Sequence, residues 1–181
     1  MKKIVLSQYP KNQLNAGPKA KTDMEKLMAQ YFDASIMTLG LPNDIFSNRI
    51  KRYLFFLKKF YSVKKTVRKD DIVFIQFPFT NQQSLISNAK HKVCFIHDID
   101  GLRSQNKALL DKELAFLKGC DVILAHNLVM KNYLIQNRIE EEKIFVLEMF
   151  DYLTDLEEIK EKERILSRYG LAIEKLKDAE N

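Results

Sequence analysis

Apolar and polar positions alternate along this chain in short blocks of two kinds. One kind is a run of five to seven mostly apolar residues: Lys2–Leu6, Ala34–Leu39, Asp71–Phe77, Lys92–Ile96, Asp121–Ala125 and Lys143–Leu147. Runs of that length bounded by polar residues suit strands buried on both faces. The other kind carries apolar residues at helical spacing. Met24, Leu27, Met28 and Tyr31 mark a helix over 22–32. Ile45, Ile50, Tyr53, Leu54, Leu57 and Tyr61 mark a long one that Asp44 can cap. Gln82–Asn88 reads as a short helix, and Leu109, Leu110, Leu114 and Leu117 point one over 108–117 toward a core. Asn127 can cap a further helix reaching about Asn137. Residues 7–19, with Pro10, Gly17 and Pro18, read as a loop.

Strands alternating with helices indicate βαβ units, a parallel sheet and helices on both faces. The expected fold is therefore α/β, a Rossmann-like doubly wound parallel sheet of about six strands. After Asp151 the pattern changes to a strongly charged stretch punctuated by Leu156, Ile159, Ile165, Leu166, Leu171, Ile173 and Leu176. The expected organisation is one domain over 1–152 and a charged C-terminal helical tail over 153–181.

Composition narrows the class. The chain has 181 residues, 46% hydrophobic and 30% charged, ordinary for one folded domain. No run approaches the 18 or so apolar residues of a membrane-crossing helix, and the N-terminus lacks a secretory signal pattern. Cys94 lies inside an apolar run and Cys120 just before one, so both read as reduced core thiols of a cytoplasmic protein. Charge is uneven. Residues 1–69 hold 15 Lys and Arg against 4 Asp and Glu, a net of +11, while the remainder carries −5. One face is thus expected to meet something anionic, or to be a basic solvated surface without a partner. Nucleic acid is the weakest candidate, because no recognisable nucleic-acid-binding motif accompanies the charge. An anionic membrane surface is better supported. Phe55, Phe56, Phe60 and Tyr61 stand among Arg49, Lys51, Arg52, Lys58, Lys59, Lys64 and Lys65, as in basic aromatic helices that lie on lipid. The same helix also fits an ordinary amphipathic element with its aromatics in the core.

Candidate chemistry sits where strands end. In open α/β sheets, ligands bind beyond the carboxyl ends of the strands. The run Val93–Ile96 stops at His97 and Asp98, an imidazole and a carboxylate suited to proton transfer or to aiming a hydroxyl. The same two residues would equally open a turn. Asp121–Ala125 stops at His126 and Asn127, with Asn127 fitting a helix N-cap and His126 a cleft edge or a core position. Gln76 and Thr80 flank the end of the third strand and could hydrogen-bond a sugar, or could simply be turn residues. Arg103 could pair with a phosphate, with Asp98, or with solvent. Asp98-Ile99-Asp100 spells an Asp-x-Asp string, but three scattered His and two core Cys give no zinc spacing, and no metal is expected.

Four pieces in order carry a resemblance: Asp71-Ile-Val-Phe-Ile-Gln-Phe-Pro78, Phe95-Ile-His-Asp-Ile-Asp-Gly-Leu-Arg103, Cys120-Asp-Val-Ile-Leu-Ala-His-Asn127 with Met130 and Leu134, and Lys143-Ile-Phe-Val-Leu-Glu-Met-Phe-Asp-Tyr152. Over residues 1–152 the chain resembles the N-terminal domain of bacterial β-1,6-galactofuranosyltransferases, among the two-domain GT-B glycosyltransferases and akin to the glucosyltransferase 3 type. The resemblance implies hexosyl transfer from a nucleotide sugar, UDP-linked, to a glycan or lipid-linked glycan in cell-surface polysaccharide synthesis, with no other cofactor. It implies an acceptor-side role for this domain, with His97 or Asp98 as base. Arg103, His126, Asn127, Gln76 and Thr80 would contact substrate, and Gly17 would lie near the donor phosphates. The donor-binding half of such an enzyme is expected to lie outside these residues. The expectation is therefore either an acceptor-side domain, or a non-catalytic module that pairs with a separate donor-binding chain or with itself, at the cytoplasmic face of the membrane.

Overall fold

The computed structural model describes residues 1–7, 16–39, 48–78, 89 and 91–148. The chain forms two compact units, Met1–His91 and Lys92–Asn181. The expected helix over 82–88, the Asp44 cap and the C-terminal tail lie outside the described residues, as does Thr80.

The first unit holds β1 (Lys3–Ser7), α1 (Ala16–Phe32), β2 (Ser35–Thr38), α2 (Arg49–Thr66) and β3 (Ile72–Phe77). Its strands are parallel and run in the order β2-β1-β3. The chain leaves β1 to one side and returns to the other, so the order reverses between β1 and β3. Ile4, Val5 and Leu6 of β1, and Ile72, Val73 and Ile75 of β3, are buried. Apolar, mostly β-branched runs of this kind satisfy a strand covered on both faces. β2 is the edge, with Ser35, Ile36 and Thr38 exposed, and its short polar character suits that place. β3 ends at a cis Phe77–Pro78 peptide.

Two helices of this unit differ from expectation. Helix α1 begins at Ala16, a turn and a half before the expected start, so Gly17 lies in its first turn and not in a loop. Met24, Leu27 and Met28 are buried as predicted, but Tyr31 is exposed. Helix α2 is capped by Asn48, whose Oδ1 accepts from Ile50 N at 2.8 Å and Lys51 N at 3.4 Å. Of its residues only Val63 is buried. The expected core stripe of Ile50, Tyr53, Leu54 and Tyr61 is exposed.

The second unit, with β4 (His91–Ile96) at its start, holds α3 (Asp100–Arg103), α4 (Lys107–Lys118), β5 (Val122–Ala125), α5 (Leu128–Gln136), a 3-10 turn over Glu141–Lys143, and β6 (Ile144–Val146). Its strands are parallel in the order β4-β5-β6. Asn106 caps α4 by accepting from Leu109 N at 3.1 Å, and Leu114 and Leu117 pack inward. Parallel strands with interleaved helices give both units the α/β, Rossmann-like arrangement that the sequence pattern predicts. Cys94 and Cys120 are buried free thiols. Burial, with the Cys120 thiol beside it, pushes the Cys94 thiol well above its ordinary value, which keeps it protonated and unreactive.

Both units anchor a strand by the same device. The aspartate just before one strand takes a backbone N–H from the start of a neighbouring strand. Asp71 accepts from Lys2 N at 2.7 Å and Arg68 N at 2.9 Å. Asp121 accepts from Lys92 N at 2.7 Å, while its own N–H donates to Lys92 O at 3.0 Å. Burial of the Asp71 carboxyl works against its charge. The N–H groups of Lys2 and Arg68, and the positive charge of Lys2, outweigh burial and hold it below the usual carboxylate range.

Replacing Asp71 or Asp121 by Ala is expected to lower unfolding free energy by about 1–3 kcal/mol each, measured in urea. Because the folded Asp71 carboxyl has the lower pKa, its contribution is present above the unfolded value of about 3.9 and is lost as pH falls through the folded one. Asp71→Asn should therefore flatten the acid limb of the stability curve. An unchanged limb would contradict the anchoring role.

Candidate functional site

The site is built in the second unit, at the carboxyl ends of β4 and β5. The parallel register pairs Val93 with Val122, Cys94 with Ile123 and Phe95 with Leu124. Carried two residues further, that register sets His97 opposite His126. Side chains on alternate residues share a face of a strand. The His97 ring therefore meets the Phe95 ring edge-on, with centroids 4.3 Å apart and planes at 86°. His126 meets the same phenyl ring at 5.2 Å, and the two imidazole centroids are 6.1 Å apart. A buried phenylalanine thus seats two half-buried imidazoles side by side. Burial lowers the pKa of His126, so the ring is neutral at neutral pH.

The chain beyond His97 turns at once. Asp98 Oδ1 accepts from Ile99 N at 2.8 Å, and Oδ2 lies 3.1 Å from Arg103 Nε. Arg103 also bonds Asp100 through Nη2. Both carboxylates of the Asp-x-Asp string are therefore engaged by one arginine. Among the described residues, no group of three or more His, Cys, Asp or Glu is placed to hold a metal ion. Asn127 caps α5, its Oδ1 accepting from Met130 N at 2.8 Å.

Beside these groups lies a cavity of about 440 Å³, lined by Asp98, Ile99, Leu102, Asn127, Val129, Met130 and Tyr133. Its polar residues are Asp98, Asn127 and Tyr133; the other lining residues are apolar. A few polar groups on an apolar wall suit a small organic ligand or a sugar ring. The structure thus brings together His97, Asp98, Arg103, His126 and Asn127. Gln76 and Gly17 belong to the first unit. Gln76 is buried, and its Nε2 donates to Lys21 O at 3.0 Å and Glu25 Oε1 at 3.1 Å, which ties α1 to β3. It is turned toward the helix and not toward an open cleft. Gly17 sits on α1.

Five lining residues, Ile99, Leu102, Val129, Met130 and Tyr133, were not legible as site residues, nor were two supports, Gly101 and Glu113. Glu113 is fully buried on α4 and reaches back to the start of α3. Its carboxylate accepts from Gly101 N at 2.8 Å and Asp100 N at 3.2 Å. Gly101 lets α3 lie against α4, because a Cβ there would fall 2.5 Å from Leu110 Cα and N. The glycine in His-Asp-Ile-Asp-Gly was a visible signal for a close approach. Glu113 carried none, because it reads as one more charged position on a helix.

Gly101→Ala is expected to destabilise the second unit by about 1–3 kcal/mol, because the obstacle is backbone. Glu113→Ala should cost about 1–3 kcal/mol by leaving two N–H groups unpaired. Burial raises the Glu113 pKa, aided by the negative charges of Asp100 and Asp98 and opposed by the two N–H bonds. A raised carboxyl binds protons more tightly when folded. Stability should therefore fall as pH rises from the unfolded value of about 4.3 through the folded one. Thermal unfolding of wild type and Glu113→Gln across that window checks this; a slope that survives the substitution would refute it.

Comparison with protein families matches the glucosyltransferase 3-like N-terminal domain over residues 2–149, which takes in nearly all of the first unit, the second as far as residue 149, and the whole cavity. Comparison with curated proteins gave no match. The family match, over most of the chain, assigns it. It belongs to the glucosyltransferase 3-like N-terminal domain family, and it is a glycosyltransferase-related protein.

Proposed function

We propose that this chain supplies the acceptor side of a GT-B glycosyltransferase that moves a hexosyl or galactofuranosyl group from a UDP-sugar to a glycan at the cytoplasmic face of the membrane. The observation that carries the reading is the cavity at the ends of β4 and β5, with the paired imidazoles of His97 and His126 nearby. A sugar ring would lie on the wall of Ile99, Leu102, Val129 and Met130, with hydroxyls bonded to Asp98, Asn127 and Tyr133. Both Asp98 oxygens are engaged, so this carboxylate suits aiming a hydroxyl better than removing its proton. The proton falls to His97, an imidazole at a strand end suited to general-base work.

In the transfer, an acceptor oxygen attacks the anomeric carbon of the donor sugar. The bond from that carbon to the nucleotide phosphate breaks, and the diphosphate leaves with the electron pair. The acceptor proton passes to an imidazole nitrogen of His97. His126, neutral by burial, can hold the same hydroxyl by hydrogen bond without adding charge. The nucleotide end of the donor is left to a donor-binding domain or partner chain.

A second reading, a non-catalytic glycan-binding module paired with a donor-binding chain, is favoured by the Asp98–Arg103 pair, which ties up the carboxylate nearest the cavity. Titration of an oligosaccharide panel and of UDP-hexoses into the full chain, followed by NMR and by UDP release, separates the two. Glycans are expected to shift Asp98, Met130 and Tyr133 signals, and Met130→Arg should abolish those shifts by filling the cavity. Failure of every glycan to engage it would end both readings. Where UDP release occurs, His97→Ala should lower kcat by about 10²–10⁴-fold with the fold intact. Release indifferent to His97 would leave only the module.

A further inference from the structure

Helix α2, Arg49–Thr66, presents to solvent an apolar stripe that its own unit does not use. Ile50 is 70% exposed, Tyr53 62%, Leu54 57% and Tyr61 67%, whereas Val63 is fully buried. Ile50, Tyr53, Leu54, half-buried Leu57 and Tyr61 fall at i, i+3, i+4, i+7 and i+11, which is one face of a helix. The opposite face docks the helix through Val63, Val67 just beyond its end, and Lys59, whose Nζ donates to Thr38 O at 3.2 Å. The stripe is therefore turned away from the unit's core.

Alongside the stripe run Lys51, Lys58 and Lys65, at i, i+7 and i+14, all exposed. Arg49, Arg52, Lys59 and Lys64 bring the helix to seven cations, and it contains no Asp or Glu. A row of lysines beside an apolar ridge with two tyrosines fits a surface that is apolar within and anionic at its rim. The butyl stems of the lysines can lie along the ridge while their ammonium groups reach outward. A second copy of the chain fits poorly, because pairing this face with itself would set two all-cationic rows together without a carboxylate from either helix. A nucleic acid would satisfy the lysines but leave Ile50 and Leu54 in water.

We propose that α2 is a membrane-docking helix, lying in the plane of an anionic bilayer with Ile50, Tyr53, Leu54 and Tyr61 in the headgroup–acyl boundary and Lys51, Lys58 and Lys65 on lipid phosphates. This stands apart from the transferase reading, because glycan titration in lipid-free solution does not involve this face. Sedimentation of the full chain with vesicles of phosphatidylglycerol and phosphatidylcholine tests it. Binding is expected at low salt and should be lost at high salt, as surface electrostatics require. Lys51→Gln, Lys58→Gln and Lys65→Gln together should weaken vesicle binding about a hundred-fold. Leu54→Ser with Tyr61→Ser should weaken it while leaving the unfolding midpoint in place, because both side chains are exposed. The proposal is overturned if the chain binds pure phosphatidylcholine equally well, if it binds neither vesicle, or if the lysine changes are without effect. It is overturned too if the Leu54 and Tyr61 changes alter the chain's mass in lipid-free solution, since a second copy would then cover the stripe, or if only oligonucleotides, and not vesicles, are held by the three lysines.

Discussion

The register between β4 and β5 is the constraint on which the candidate site depends. In a parallel pair, one residue of slip sends every side chain to the other face. Phe95 opposite Leu124 puts His97 opposite His126, with Phe95 in contact with both rings. The register is held from the far end of the pair, where Asp121 and Lys92 exchange two hydrogen bonds. An anchor at the amino ends thus decides the chemistry at the carboxyl ends, a strand length away.

The second unit supports that site with buried polar groups whose bonds are made. Glu113 is an enclosed ionisable group, a costly position unless hydrogen-bonded. Its two backbone N–H partners offset burial only in part, which is why its pKa still rises. The arrangement fixes the start of α3, and with it Ile99 and Leu102 in the cavity wall. Gly101 is part of the same joint, because only a residue without Cβ lets the two helices approach so closely. The glucosyltransferase 3-like family match covers this joint together with both strand ends.

The two units handle their surfaces differently. In the second, apolar residues left near solvent, such as Leu102 and Val129, border a cavity. In the first, the exposed apolar residues of α2 form a convex ridge among cations. Among the described residues, no helix is long and apolar enough to cross a membrane. A ridge of this kind suits lying on a surface, which needs an amphipathic helix and not an apolar one.

What the sequence determined by itself was the order and type of the elements. Short apolar runs alternating with helical patterns read as parallel strands, and helices must then cover them; that β2 is an exposed edge was left to the sheet order. It also marked the strand ends, because His97-Asp98 and His126-Asn127 stop their runs abruptly, and it marked Asn127 as a cap. Only tertiary structure decided which face of α2 is buried, because its apolar residues surround much of the helix and periodicity alone does not choose among them. Gln76 reads as a strand-end polar residue until β3 meets α1, and its amide then turns to Lys21 and Glu25. Arg103 reads as solvated or phosphate-binding until the turn at Asp98 folds it onto two carboxylates. In each case the deciding partner lies on another element or across a turn, and a one-dimensional pattern carries no information about which polar groups will come within hydrogen-bond reach.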